Sequence, residues 1–190
     1  MRNFSKTNYH YFFFIILFLT QIVIFDDYGF SNDEEISRFN GLVTFNYLIE
    51  KFNIHFIQPY PNVPKLENYL DKDYGVIFEL LLIFFEKIFN LQDIKIIYLT
   101  RHFFTSFIFF IGCIFFYLNL RKFFSKKISL LGTLIFISHP RIFAQSFYNN
   151  KDIVFLSFFF ISNFFLINFF FRQNLRNIFL LSISVSLAIC

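Results

Sequence analysis

Residues able to do chemistry fall into four short stretches of this 190-residue chain. Ser31-Asn32-Asp33-Glu34-Glu35 sets three carboxylates side by side. A rigidly held carboxylate can take a proton from an attacking hydroxyl, which makes Asp33 and Glu34 candidate catalytic residues. The same spacing suits helix capping: Ser31 with Glu34, or Asn32 with Glu35, fits a capping box, and acids in a first turn favour the helix dipole. Both roles fit together, because a capped helix end would hold Asp33 in place. Asp71-Lys72-Asp73-Tyr74-Gly75 is a second acidic cluster, readable also as a solvated turn that caps a following helix. Arg101-His102 is a cationic pair that equally suits a snorkelling anchor at a span end. The most unusual stretch runs from Ser138-His139-Pro140-Arg141 to Asn149-Asn150-Lys151-Asp152. Pro140 should kink a helix and free a carbonyl, so the backbone there should border protein or a wet cavity. A guanidinium in that setting suits a phosphate, whose oxygens match its planar fork; the plainer reading is a kinked helix end with Arg141 reaching outward.

The elements that must position these groups are apolar. Hydrophobic residues make up 56% of the chain and Phe alone fills 37 positions, with a mean hydropathy of +0.56. That is above the balance of a water-soluble domain and points to lipid as the solvent. Phe is read here as apolar filler and not as a binding surface. Five runs reach or approach span length, at residues 9–25, 103–120, 128–147, 153–171 and 177–190. The first follows Arg2 and Lys6, as in a signal peptide. It closes on Ile24-Phe25-Asp26-Asp27 without the small residues of a cleavage site, so an uncleaved anchor is expected. The last run falls short of the roughly 20 residues a span needs, and the chain is expected to be an N-terminal fragment of a longer protein. Cys113 and Cys190 lie far apart in apolar runs, which argues against a disulfide or a zinc site.

Charge placement orients the spans. Arg2, Lys6, Arg121, Lys122, Lys126, Lys127, Arg172 and Arg176 occupy three short acid-free segments, which the positive-inside rule assigns to the cytoplasm. Twelve of the thirteen acids lie between Asp26 and Asp93 and the other is Asp152, so the loop 26–101 and the turn 139–152 share the opposite side. The apolar run 76–89 carries Glu79, Glu86 and Lys87 and is too short to cross; it is read as a helix at the interface or packed against the spans. A net charge of +4 does not imply nucleic acid, since the basic residues cluster between apolar runs. No charge falls within 103–120 or 153–171, where one would cost roughly 2.5 kcal/mol or more and mark an ion pathway. Work at the outer interface is expected in place of pumping. The expected fold class is all-α: a polytopic transmembrane helical protein, one N-terminal domain, with a long extracytoplasmic first loop holding interfacial helices.

One span, an acidic outer loop opening on Asp33-Glu34, interfacial helices and close-set spans form an ordered pattern. Within it stand Tyr28-Gly29-Phe30-Ser31-Asn32-Asp33-Glu34, Arg38-Phe39-Asn40-Gly41, Asp71 to Tyr74-Gly75, Phe78-Glu79, Arg101-His102, Pro140-Arg141-Ile142-Phe143-Ala144, Ser146-Phe147-Tyr148-Asn149 and Lys151-Asp152. In that order and spacing, over most of residues 28–155, the chain resembles the C-type polyprenyl-phosphate glycosyltransferases, in particular bacterial membrane proteins of the protein mannosyltransferase and aminoarabinose transferase group. Relatives often carry His where Gln145 stands and Pro where Asn150 stands, and the Lys-Pro-Pro signature of aminoarabinose transferases is absent. Acceptor identity therefore does not carry over.

The resemblance implies transfer of a sugar from a polyprenyl-phosphate donor to an acceptor hydroxyl at the extracytoplasmic face of a bacterial inner membrane. On that footing Asp33 is the general base, with Glu34 in support. Arg141 and Lys151 stabilise the departing lipid phosphate, with Arg101 and His102 as lesser candidates. Asp71, Asp73 and Asp152 orient sugar hydroxyls or hold a divalent cation, the one cofactor in view. The implied partners are the lipid-linked donor, membrane lipid and an unidentified acceptor. A nucleotide-binding fold is not expected, as no GxGxxG occurs. Two other classes stay open. A transporter subunit would need polar residues within its spans or inverted repeats, and a non-catalytic scaffold would use the acidic loop for docking while leaving Arg141 and Lys151 unexplained. An isolated fragment would lack the rest of a catalytic cavity.

Overall fold

The computed structural model describes residues 9–55 and 57–189; Arg2, Lys6 and Cys190, named above, lie outside them. The chain is all-helical, with no strand among the described residues. Its helices are α1 (Tyr9–Ile24), α2 (Asn32–Lys51), α3 (Ile77–Ile88), α4 (Ile94–Phe123), α5 (Lys126–Ile137), α6 (Pro140–Tyr148), α7 (Asp152–Phe171) and α8 (Leu175–Ile189), with a 3-10 turn at Leu66–Asn68. Two of them, α4 and α7, are long and apolar enough to cross a membrane, while α1 and α8 are shorter apolar helices. At 1.5 Å per residue α4 and α7 reach about 45 and 30 Å.

Two elements differ from their expected bounds, each for a local reason. The helix expected over 103–120 starts at Ile94, where the Asp93 side chain caps it by accepting from the Lys95 amide at 2.8 Å. Arg101 and His102 therefore sit two turns inside α4 and not at its end. The run 128–147 is two helices. His139 takes an extended conformation, as a residue before proline prefers, and Pro140 then opens α6 at a position where its missing N–H costs nothing.

Ring contacts give the helix directions. Along α1 and α4, Phe14 meets Tyr117, Phe18 meets Phe110 and Phe25 meets Phe103, an antiparallel pairing. Along α4 and α7, Phe116 meets Phe160 and Phe115 meets Phe164, while Asn119 Nδ2 donates to the Phe160 carbonyl at 2.9 Å; these two helices run parallel. They approach closely because Gly112 faces Ser157, where an added Cβ would come within 2.8 Å of the serine. Helix α5 returns alongside α4, with Phe136 against Phe109 and Phe116 of α4 and Phe160 of α7. The resulting core holds Phe14, Leu17, Phe109, Cys113, Tyr117, Ile137 and Ile153. Phe12, Val23, Phe159 and Phe170 point outward and are exposed, so α1 and α7 are apolar on their outer faces as well as inside.

A second, smaller core lies in the connection between α1 and α4. Leu42, Phe45 and Ile49 of α2 bury against Ile83 of α3, with Ile54, Ile57 and Tyr60 packed around them. Gly41 permits the crossing: a Cβ there would lie 2.6 Å from Ile83 Cδ1 and 2.8 Å from Glu79 Cβ. Gly41→Ala is expected to cost about 1–3 kcal/mol by overpacking, read as a lower midpoint in detergent-phase unfolding. A midpoint equal to that of wild type would mean that α3 moves aside freely.

Candidate active site

Helix α2 opens with Ser31 as its N-cap, and the Ser31 amide donates to Glu34 Oε2 at 2.8 Å, the Glu34 half of a capping box. Upstream, Tyr28 stacks on Phe147 at 4.4 Å between ring centres and Phe30 stacks on Tyr98 at 5.1 Å. These contacts pin the first turn of α2 against α6 and α4. Capping turns Glu34 inward, where it is 1% exposed, and its Oε1 lies 2.9 Å from His102 Nε2. Asp33, the preceding residue, is left exposed.

Beneath α2 runs a chain of buried charges. Arg38 reaches Glu86 with Nη2 at 2.8 Å and Nε at 3.2 Å from the same oxygen. Arg101 Nη1 lies 2.8 Å from the other Glu86 oxygen, and Arg101 also pairs with Glu79. Glu79 in turn accepts a hydrogen bond from Asn150, at the turn before α7. Burial works against the Arg38 charge, but the hydrogen bond and charge of Glu86 outweigh it and hold its pKa above the ordinary value. Nearby, burial first and the Glu86 charge second push the Tyr60 phenol up to about 12, so it stays protonated and is no base at neutral pH.

In front of this network opens a cavity of about 750 Å³, within the size range of small-ligand sites. Asp33 comes to it from α2, Asp71 and Asp73 from the loop before α3, Lys151 from the turn between α6 and α7, and Asp152 from the first residue of α7. All five were singled out from the sequence. Gln145, Tyr148 and Asn150 add polar groups, while Val154 and Phe155 of α7 and Leu187 and Ile189 of α8 form an apolar flank. Lys151 is held by an aromatic face: its Nζ lies 3.9 Å from the centre of the Tyr74 ring. The neighbouring Asp152 is engaged by Asn149, whose Nδ2 donates to Asp152 Oδ2 at 3.0 Å while its Oδ1 accepts from the Asp152 amide at 2.9 Å. The ammonium is therefore left open to a ligand anion.

No protein-family model, curated protein or solved structure matches this chain. Geometry alone places its residues.

Of the remaining candidates, Arg141 is exposed at the start of α6. It stands four and seven residues before Gln145 and Tyr148, on the helix face that carries those two cavity residues. Glu34, Arg101 and His102 are elsewhere: each is 1% exposed and paired with an opposite charge or its potential partner, behind the cavity wall. Arg101 and His102, expected to meet a phosphate, and Glu34, expected to support proton transfer, are thus buried and do not line the cavity. Among the described residues no three of His, Cys, Asp and Glu gather to hold a metal ion. Asp71, Asp73 and Asp152 all lie on the cavity wall. Residues the sequence reading left without a role are Glu79, Glu86 and Tyr74. Glu79 and Glu86 carried a signal, because two acids seven apart in an apolar run share one helix face and need a cation there.

Proposed function

We propose that the chain is a polytopic membrane glycosyltransferase that moves a sugar from a polyprenyl-phosphate donor to an acceptor hydroxyl in this cavity. One observation carries the reading: an exposed carboxylate, Asp33, and an ammonium open to an anion, Lys151, line the same cavity beside an apolar flank. An amphiphile with a phosphate between sugar and hydrocarbon suits such a wall. Apolar outer faces on α1 and α7, together with two helices of crossing length, support placement in a bilayer. The basic turns at 121–127 and 172–176 then face the cytoplasm of a bacterial inner membrane, and the cavity faces the other side. The resemblance in motif order to C-type polyprenyl-phosphate transferases supports the same reading.

In this mechanism the acceptor oxygen attacks the anomeric carbon as its proton passes to the Asp33 carboxylate. The bond from that carbon to the phosphate oxygen breaks, with inversion, and the phosphate leaves with the electron pair. Lys151, supported by Arg141 from the same side, meets the charge that develops there. The half-buried Asp71 and the exposed Asp73, both on the cavity wall, are placed to accept from sugar hydroxyls. Carboxylates outnumber ammonium groups along the wall, so the phosphate must sit at Lys151 and not at the centre of the cavity.

Lys151→Ala tests the donor end. In membranes carrying the protein, assayed with a polyprenyl-phosphate sugar, the KM for donor is expected to rise about ten- to a hundredfold, the worth of a charge-assisted contact. Lys151→Arg should recover part of that loss. An unchanged donor KM in Lys151→Ala would remove the phosphate role.

A further inference from the structure

The end of the bundle opposite the cavity takes no part in this reaction, yet it is strongly basic. Helix α4 ends with Arg121 and Lys122, α5 begins with Lys126 and Lys127, and Arg172 and Arg176 flank the turn between α7 and α8. No acid occurs anywhere from residue 94 to 151 or beyond 152. The two basic turns are neighbours. Lys122 Nζ donates to Asn168 Oδ1 at 2.5 Å and lies 5.1 Å from the centre of the Phe164 ring, which ties the end of α4 to the last turn of α7. Lys126, Lys127, Arg172 and Arg176 are exposed, and among the described residues their side chains have no hydrogen-bond or ion-pair partner.

Large apolar side chains stand exposed among these charges: Phe123 and Phe124 at one turn, Phe170, Phe171 and Leu175 at the other. A nucleic acid or an acidic protein would answer the charges and leave these rings in water. An anionic amphiphile answers both, with its phosphate against the cations and its chains against the rings.

We propose that the two turns form one binding surface for anionic phospholipid headgroups. It is independent of the transferase reading, since it lies at the other end of the bundle and is measured without catalysis. The test uses the purified chain in detergent, with added phosphatidylglycerol, phosphatidylcholine or free glycerol phosphate, followed by native mass spectrometry for bound lipid and by melting temperature. Phosphatidylglycerol is expected to bind at least about tenfold better than phosphatidylcholine, less so at high salt. The combined variant Lys126→Gln, Lys127→Gln, Arg172→Gln, Arg176→Gln should lose that preference while keeping its lipid-free melting temperature. Equal binding of the two lipids overturns the proposal, as does a variant that keeps the preference. Competition by free glycerol phosphate as strong as by the lipid overturns the part assigned to the phenylalanines.

Discussion

Replacing Arg101 by alanine is expected to lower the stability of the folded chain by about 3–5 kcal/mol. Its guanidinium is 1% exposed and lies between the carboxylates of Glu79 and Glu86, which are 6% and 2% exposed. Glu86 keeps Arg38 as a partner when Arg101 is removed. Glu79 keeps only the Asn150 amide, so a buried carboxylate there loses its counter-charge. Arg101→Lys should recover part of the loss, because a compact ammonium cannot reach both carboxylates as the planar fork does. Arg101→Met should fall near alanine, since the penalty comes from stranded charge and not from lost volume. Unfolding by SDS titration in mixed micelles measures all three. A loss under about 1 kcal/mol in Arg101→Ala would show that Glu79 and Glu86 reach solvent or take up protons, and that the network does not hold α2, α3 and α4 together.

Local signals in the sequence were the readable ones. The capping spacing at Ser31 and Glu34, the break at Pro140 and the short apolar run with two acids each fix an element through neighbours a few residues away, and α2, α6 and α3 begin where those signals lie. Asp33, Asp71, Asp73, Lys151 and Asp152 on the cavity wall were readable as well, because charged residues clustered between apolar runs stand out. What stayed hidden is pairing at long range. Arg101 looked like a span-end anchor because it stands where an apolar run begins, whereas its partners are Glu86, fifteen positions away, and Glu79. Glu34 and His102 met in the same way, across the whole α2–α4 connection. The seat of Lys151 on Tyr74 is a further case, since only the fold of the loop before α3 brings ring and ammonium together. The division of 128–147 into two helices was half legible. Proline announced the break, but the restart needed His139 extended and α6 stacked on Tyr28 through Phe147.

The larger functional effect is expected at Asp33. Its side chain is exposed, lines the cavity and makes no hydrogen bond or ion pair among the described residues. Asparagine can fill the same space and leave the cap made by Glu34 intact. Only the weakened interaction with the helix dipole should touch stability, at about 0.3–1 kcal/mol. As the proton acceptor, Asp33 should contribute about 10²–10⁴-fold to the rate, and the amide has no basic oxygen to replace it. Donor affinity should be nearly unchanged, because the phosphate is assigned to Lys151 at another part of the wall. A loss confined to kcat separates a catalytic carboxylate from one that merely shapes the cavity, which would move KM too.

Transfer of labelled sugar from a polyprenyl-phosphate donor, compared between wild type and Asp33→Asn in membranes at equal expression, tests the account most directly. It predicts a fall in kcat of at least about a hundredfold with an unchanged donor KM. Transfer by Asp33→Asn at the wild-type rate would contradict it.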